Sequence, residues 1–340
     1  MNAHRQRVEE LLERFEQLRQ APPGAYRWSH HHDGGQHSLH LVFGSMTHGD
    51  EVGSLPGLVT AIQQLTEGRI SYGGKASFFI GNPEAGLQRK RFLEQDLNRM
   101  FMERDEEAHE VRRAQELMPI LDTADMLMDF HQTILGTRKP FYICPWHRSG
   151  WLWARALGGA RHWVTRAPHT SFASGLVCAD EYVRVKGRTG LTLELGEQGF
   201  FEEAAERTLR TIQRALELGD RYATEPEALE AAAQAMPELS FLHTVHREPF
   251  SHAALTLREG LLNFEEVACG EVLSAPGSPE VKAPKDGAVL FPKYPPRNRA
   301  GDALDPRPSE LYRIVQPLES HPIELWEADG QSPVDGRGRN

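Results

Sequence analysis

The chain has 340 residues, with 48 Asp and Glu against 38 Lys and Arg, a formal net charge of -10 and 39% hydrophobic residues. That balance argues against a general nucleic-acid binder, and no apolar run approaches the roughly 18 residues that a bilayer-spanning helix needs. Three scattered cysteines, Cys144, Cys178 and Cys269, fit a reducing compartment better than a disulfide framework, and the charged start "MNAHRQRVEELLERFEQL" has no secretory h-region, so a cytoplasmic protein is expected.

In chain order, Val8, Leu11, Leu12, Phe15 and Leu18 recur at helical spacing, which predicts a helix over 5–20. A polar loop is expected at "HHHDGG", followed by a strand at "SLHLVFG" (38–44), a helix through "LPGLVTAIQQL", and strands at "ASFFIGN" (76–82), "MLMDF" (126–130), "FYIC" (141–144) and "GLTLEL" (190–195). "FEEAAERTLRTIQRALELG" (201–219) predicts a long amphipathic helix. Short apolar strands alternating with helices indicate an α/β sheet covered on both faces. After residue 223 the character changes. An acidic, alanine-rich linker or short helix is expected at 224–238, a smaller all-β C-terminal domain at 239–320 from runs such as "FLHTVHR", "GEVL", "GAVLFP" and "LYRIV", and a disordered tail at 321–340.

The stretch "GSMTHGDEVGSLPGL" (44–58) puts His48 three positions before Glu51, just past an apolar strand. A His-x-x-Glu pair can supply two ligands of a catalytic zinc, which takes three protein ligands and leaves one position open. "DFHQT" offers the third, because His131 also lies just past a strand, and ligands in an open α/β sheet collect beyond the carboxyl ends of strands. "GLTLELGEQG" sets Glu194 inside an apolar strand, where a carboxylate is costly unless used or paired. It is a candidate general base; the competing reading is a carboxylate that points out of an edge strand or pairs with an arginine. "GNPEAGLQRKRFLEQDLNRMF" (81–101) concentrates Arg89, Lys90, Arg91 and Arg99, with Asn98 and Arg99 flanked by apolar residues. In an acidic protein this suggests a pocket for a small anionic substrate. The triplet His30–His32 reads as part of the polar loop rather than a second metal site.

Together, "THGDE", "GNPEAGLQRKRFLEQDLNRMF", "DFHQT" and "LTLELGE" resemble, in order, the motifs of the succinylglutamate desuccinylase/aspartoacylase family, related to the zinc carboxypeptidases. The resemblance covers roughly residues 38–220 and implies a zinc-carboxypeptidase-like mixed sheet flanked by helices. It implies one zinc per chain, held by His48, Glu51 and His131, in a hydrolase that removes an acyl group from an acidic N-acyl amino acid. It further implies that Glu194 is the general acid/base, that Arg91 polarises the scissile carbonyl, that Asn98 and Arg99 grip a substrate carboxylate, and that Arg184 does so on a poorer local match. Asp96 is expected to orient its segment. Asp50 stands where the family pattern reads Asn, and Phe130, Gln132 and Thr133 also depart from it, so the acyl group and the amino acid stay open. Two alternatives stand beside the deacylase: a carboxypeptidase-like peptidase, and a non-catalytic metal- or ligand-binding protein of the same fold. A homo-oligomer is possible, and neither nucleic acid nor membrane is expected as a partner. "EVKAPKDGAVLFP" (280–292) resembles a lipoyl-like hairpin, read as fold only.

Overall fold

A computed structural model describes residues 3–166, 177–298, 301–304 and 308–323. Helix α1 (Ala3–Leu18) leads into β1 (Ser29–Asp33), β2 (His40–Ser45), α2 (Leu55–Thr66), β3 (Lys75–Ile80), α3 (Pro83–Leu87), a 3-10 turn (Leu97–Arg99) and α4 (His109–Leu121). Then come β4 (Met126–Thr133), β5 (Phe141–Ile143), α5 (Arg148–Leu157), β6 (His162–Thr165), α6 (Ala179–Arg184), β7 (Thr189–Glu197), α7 (Glu202–Thr224) and α8 (Glu227–Gln234). The last four strands are β8 (Ser240–Pro249), β9 (Glu266–Val267), β10 (Gly287–Leu290) and β11 (Glu310–Pro317). Among the described residues no helix is long and apolar enough to cross a membrane.

The strands form one mixed sheet in the order β1-β3-β2-β4-β7-β5-β6-β8-β11-β10-β9. Its heart is the parallel run β3, β2, β4 and β7. Every residue of β2 and β4 is buried, as expected for parallel strands covered by helices on both faces. That explains why they read as near-continuous apolar runs. The mixed α/β fold with a β-rich C-terminal region is the architecture the sequence predicts. The join is tighter than two separate domains would suggest. β6 pairs in parallel with β8, setting Trp163 beside Phe241, so the sheet continues from the catalytic half into the β-rich part. That part keeps its own apolar core, including Leu257, Leu261, Val289, Leu311 and Tyr312.

Two local expectations are corrected, and a third resolves between its two readings. Residues 224–238, read as a linker or a short helix, carry the helix α8, which buries Ala228, Leu229 and Ala233; alanines at helical spacing make an apolar face from a composition that looks linker-like. "GEVL" forms no named strand, only an isolated bridge between Val272 and Lys282. The histidine triplet is not a loop but the body of β1, paired antiparallel with β3. Of the tail expected to be disordered, residues 324–340 lie outside the described residues.

The triplet has a structural use. His31 places its two ring nitrogens 2.9 Å from Ser29 Oγ and 2.9 Å from Ser77 Oγ, and His40 Nε2 reaches the same Ser77 Oγ at 2.8 Å. Burial lowers His30 and His31 to about 4 each, with a neighbouring histidine adding to the effect, and also lowers His40. These groups are depressed in the fold, so the unfolded chain binds protons that the native state refuses. Their stabilisation is therefore complete above an ordinary histidine value of about 6.5 and is lost as pH falls toward 4. His30, only 1% exposed, accounts for roughly 2–3 kcal/mol of that loss. Urea midpoints followed from pH 7 to pH 4 should fall steeply, and His30→Leu should make the slope shallower; an unchanged slope would free His30 of this role.

Candidate metal centre and active site

β2, β4 and β7 run in parallel, so their carboxyl ends lie side by side. The chain leaving β2 turns at Met46, which adopts φ 54°, and delivers His48 and Glu51. The glycine between them is required by close approach: a Cβ on Gly49 would lie 2.5 Å from the Gly86 nitrogen in α3. β4 delivers His131, and β7 sets Glu194 directly beside it in the strand register.

His48 Nδ1, Glu51 and His131 Nδ1 converge. The two ring nitrogens are 3.2 Å apart, His48 Nδ1 is 2.8 Å from Glu51 Oε1, and His131 Nδ1 is 2.9 Å from Glu51 Oε2. The three residues are 4%, 2% and 2% exposed and form the one group among the described residues whose donors lie close enough to share a metal ion. The outer ring nitrogens confirm the aim of the inner ones. His48 Nε2 meets Asp96 Oδ1 at 3.0 Å, and His131 Nε2 meets Asp129 Oδ2 at 2.8 Å. A carboxylate behind each imidazole is the usual support of metal-ligating histidine. Two imidazole nitrogens and one carboxylate also suit zinc, so the donor set fits the metal the sequence suggested. Burial pushes the Glu51 carboxyl up, but His48 and His131 pull it far below the usual range. Burial likewise opposes charge on His131, yet Asp129 and Glu51 raise it well above an ordinary histidine.

Glu194 is 8% exposed and its Oε2 has no hydrogen-bond partner. Burial, then the nearby Glu51, pushes it up to about 7. β7 is an interior strand between β4 and β5, so the edge-strand reading fails. No arginine pairs with Glu194 among the described residues.

Arg91 reaches the same centre. Its guanidinium lies 3.3 Å from Glu51 Oε1, 3.2 Å from Asp96 Oδ2 and 2.7 Å from His48 Nε2. Asp96 thus braces the segment as expected, since its Oδ1 also accepts from the Asn98 amide at 3.0 Å. Asn98 Oδ1 accepts from the Ala179 amide at the start of α6 (2.9 Å). Arg99 Nη1 lies 3.2 Å from Cys178 Sγ and 2.5 Å from the Asn98 carbonyl. Arg184 goes elsewhere. It sits on α6, paired with Asp180 at 2.9 Å, among Cys144, His147 and Arg166, and touches none of the metal group.

Several supporting residues carry no local sequence signal. Asp129 accepts from Thr47 Oγ1 (2.9 Å) as well as from His131. Gln132 gives its amide to Glu51 Oε2 (3.0 Å), while its side chain holds Gly53 and Gly199 at 2.7 and 3.1 Å. Glu110, on α4 and fully buried, accepts from the amides of Leu93, Glu94 and Gln95 at 2.7, 3.1 and 3.0 Å and from Asn82 Nδ2 at 2.9 Å. Its one carboxylate therefore shapes the loop that presents Arg91, Asn98 and Arg99. Glu110→Ala would strip three loop amides of their acceptor, at about 1–3 kcal/mol for each group left without a partner. An overall loss of at least about 2 kcal/mol in urea unfolding is expected; a loss within about 0.5 kcal/mol, typical of a neutral surface site, would show that the loop does not depend on it.

Residues 39–219 match the model of the succinylglutamate desuccinylase/aspartoacylase catalytic domain. Succinylglutamate desuccinylase of Pseudomonas aeruginosa is 27% identical over 286 residues, covering 78% of this chain and 84% of that protein, and its counterpart from Pseudomonas fluorescens strain Pf0-1 is 27% identical over 296 residues, covering 80% and 84%. The fold is shared with the crystal structure of succinylglutamate desuccinylase from Chromobacterium violaceum (TM-score 0.63, 18% identity, 92% of this chain and 98% of that one). It is shared too with murine aminoacylase 3 (TM-score 0.57, 18% identity, 82% and 95%). With its motifs in order and more than half its length matched, the chain belongs to the succinylglutamate desuccinylase/aspartoacylase family.

Proposed function

We propose that the protein is a zinc-dependent deacylase that hydrolyses the amide of a small N-acyl acidic amino acid. The observation that carries this reading is the convergence of His48 Nδ1, His131 Nδ1 and Glu51 beside the buried, unpartnered carboxylate of Glu194. His48, Glu51 and His131 would hold the metal. Bound there, zinc would supply Lewis acidity and lower the pKa of a coordinated water to about 7.

The chain's own residues do the rest. Glu194 accepts the proton of the attacking water and passes it to the departing amine; burial that raises its pKa to about 7 suits both halves of that task. Arg91 stands against the carbonyl oxygen and stabilises the charge that develops on it. Asn98 and Arg99 hold a carboxylate of the amine half, with Asn98 offering its amide nitrogen because its oxygen is committed to α6. Asp96 and Asp129 keep the imidazoles aimed. Arg184, neutralised by Asp180, is left out of this grip. Turnover of N-acyl amino acids against a panel of peptides separates the deacylase from a carboxypeptidase-like enzyme, and zinc binding without turnover of either would mark a non-catalytic relative.

His131→Ala should lose tightly bound zinc; about one zinc per chain retained on metal analysis would remove His131 from the site. Glu194→Gln should keep zinc and fold while losing about 10²-fold or more in kcat, since an amide accepts no proton. A near-normal kcat would assign the base elsewhere.

Arg99→Lys keeps the charge but loses the planar fork, so its defect should lie mainly in KM. Arg91→Lys should fail mainly in kcat, because the oxyanion exists only near the transition state. Steady-state kinetics of the two variants on one substrate decides this, and identical patterns would sink the division of labour.

A further inference from the structure

α7 carries Arg207, Arg210, Arg214 and Arg221, whose spacing sets them along one stripe of the helix. The four line a cavity of about 510 Å³, closed on its other sides by Gly158 and Gly159 at the end of α5 and by Ala232 of α8. A solvated helix face ordinarily sets opposite charges three or four residues apart. Here Arg207, Arg210 and Arg214 set like charges at those spacings, an arrangement that weakens a helix.

Little in the fold answers these cations. Arg210 meets Glu206 at 3.0 Å in an exposed pair, which screening by water makes weak. Arg207 Nη1 donates to the Gly159 carbonyl at 2.8 Å, a neutral acceptor. Among the described residues Arg207, Arg214 and Arg221 have no ion pair. Glu217, which also lines the cavity, stands between Arg214 and Arg221 in sequence and bonds to neither. Arg207 and Arg214 are half-buried, and burial, then the neighbouring Arg210, pushes Arg207 below its ordinary value. In a chain of net charge -10, a concave site lined by arginines without counter-ions is a place for an anion.

The cavity is not part of the metal centre. A Cβ on Gly159 would lie 2.9 Å from the Leu193 side chain, and successive residues of a strand point to opposite faces. The cavity therefore backs onto the face of the sheet away from Glu194. Its volume falls within the roughly 300–1,000 Å³ of small-molecule sites. Leu157 and Leu218 give it apolar wall beside the cations, which suits an organic body carrying the charge. Arginine forks match phosphate oxygens bidentately.

We infer that this cavity binds a small organic phosphate, its phosphate groups held by Arg207, Arg214 and Arg221, at a site separate from the metal centre. The inference goes beyond the deacylase reading and does not depend on it.

Calorimetry at about 0.15 M salt with ADP, inorganic pyrophosphate and adenosine tests it on the full chain. The variants are Arg214→Gln, Arg221→Gln and Arg214→Lys, with Arg5→Gln as a surface control and His131→Ala to disable the metal group. Arg214→Gln and Arg221→Gln should each raise the Kd for ADP and pyrophosphate about ten- to a hundredfold, the range for a charge-assisted hydrogen bond. Arg214→Lys should recover part of the loss. Arg5→Gln and His131→Ala should change either Kd by less than about twofold. ADP should bind more tightly than pyrophosphate, and adenosine weakly and without dependence on Arg214. Because Arg214 bonds to nothing in the fold, Arg214→Gln should leave the urea midpoint unchanged or raised without ligand, while ADP should raise the midpoint of the parent protein only. A midpoint lowered by Arg214→Gln with ADP affinity unchanged would make the arginine structural and overturn the inference. So would the absence of saturable ADP and pyrophosphate binding to the parent, or binding that is lost in His131→Ala and kept in Arg214→Gln. Pyrophosphate binding as tight as ADP would overturn the organic part of the ligand and keep the phosphate site. Hydrolysis of N-acyl amino acids decides the deacylase reading separately from all of these.

Discussion

The rest of the structure depends on burying a knot of carboxylates and imidazoles at the carboxyl ends of three parallel strands. Glu51, Asp96, Asp129 and Glu194 gather around His48 and His131, with Arg91 as the arginine in contact. Buried charge is tolerated only when paired and hydrogen-bonded, and a cation bound between the two Nδ1 atoms would offset much of the negative excess. The surrounding backbone makes room for it. A Cβ on Gly44 of β2 would come 2.6 Å from Asp129 Oδ1 and 2.5 Å from the Phe79 ring, so β2 carries a glycine where the carboxylate behind His131 must sit.

Around this knot, single polar side chains hold whole loops. Glu110 gathers the amides that precede Arg91's partner Asp96, Asn98 caps α6, Gln132 ties the start of α2 to the end of β7, and Asn263 rivets the β-rich region to the segment after β4. Each is buried, and each spends its hydrogen bonds on backbone groups that a loop would otherwise leave unmet. The loops that position the site are held by buried hydrogen bonds of this kind, and against them the buried Glu194 Oε2 stands out as an atom without a partner.

Parts of this were legible in the chain itself. The runs at β2, β4 and β7 are largely apolar because both faces of a parallel strand are covered, and His48, Glu51, His131 and Glu194 stand out because a polar residue interrupts or follows each run. The β1 histidines were not legible as a strand, since their stabilising partners, Ser77 and Tyr72, lie on a neighbouring strand and loop. α8 was legible only as one of two readings, because its composition is shared with linkers. Glu110 and Asn263 look like ordinary surface residues in sequence, because what they do is decided by distant amides.

The sequence by itself determined which groups can do chemistry, because ligand spacing and strand-end position are local properties. Only the tertiary structure decided which charges meet. It set His131 and Glu194 side by side through strand register, and it paired Arg184 with Asp180 rather than with the metal group. Pairing between distant charges is set by sheet order and by the few buried hydrogen bonds that lock one loop onto another, and neither is written in any short stretch of chain.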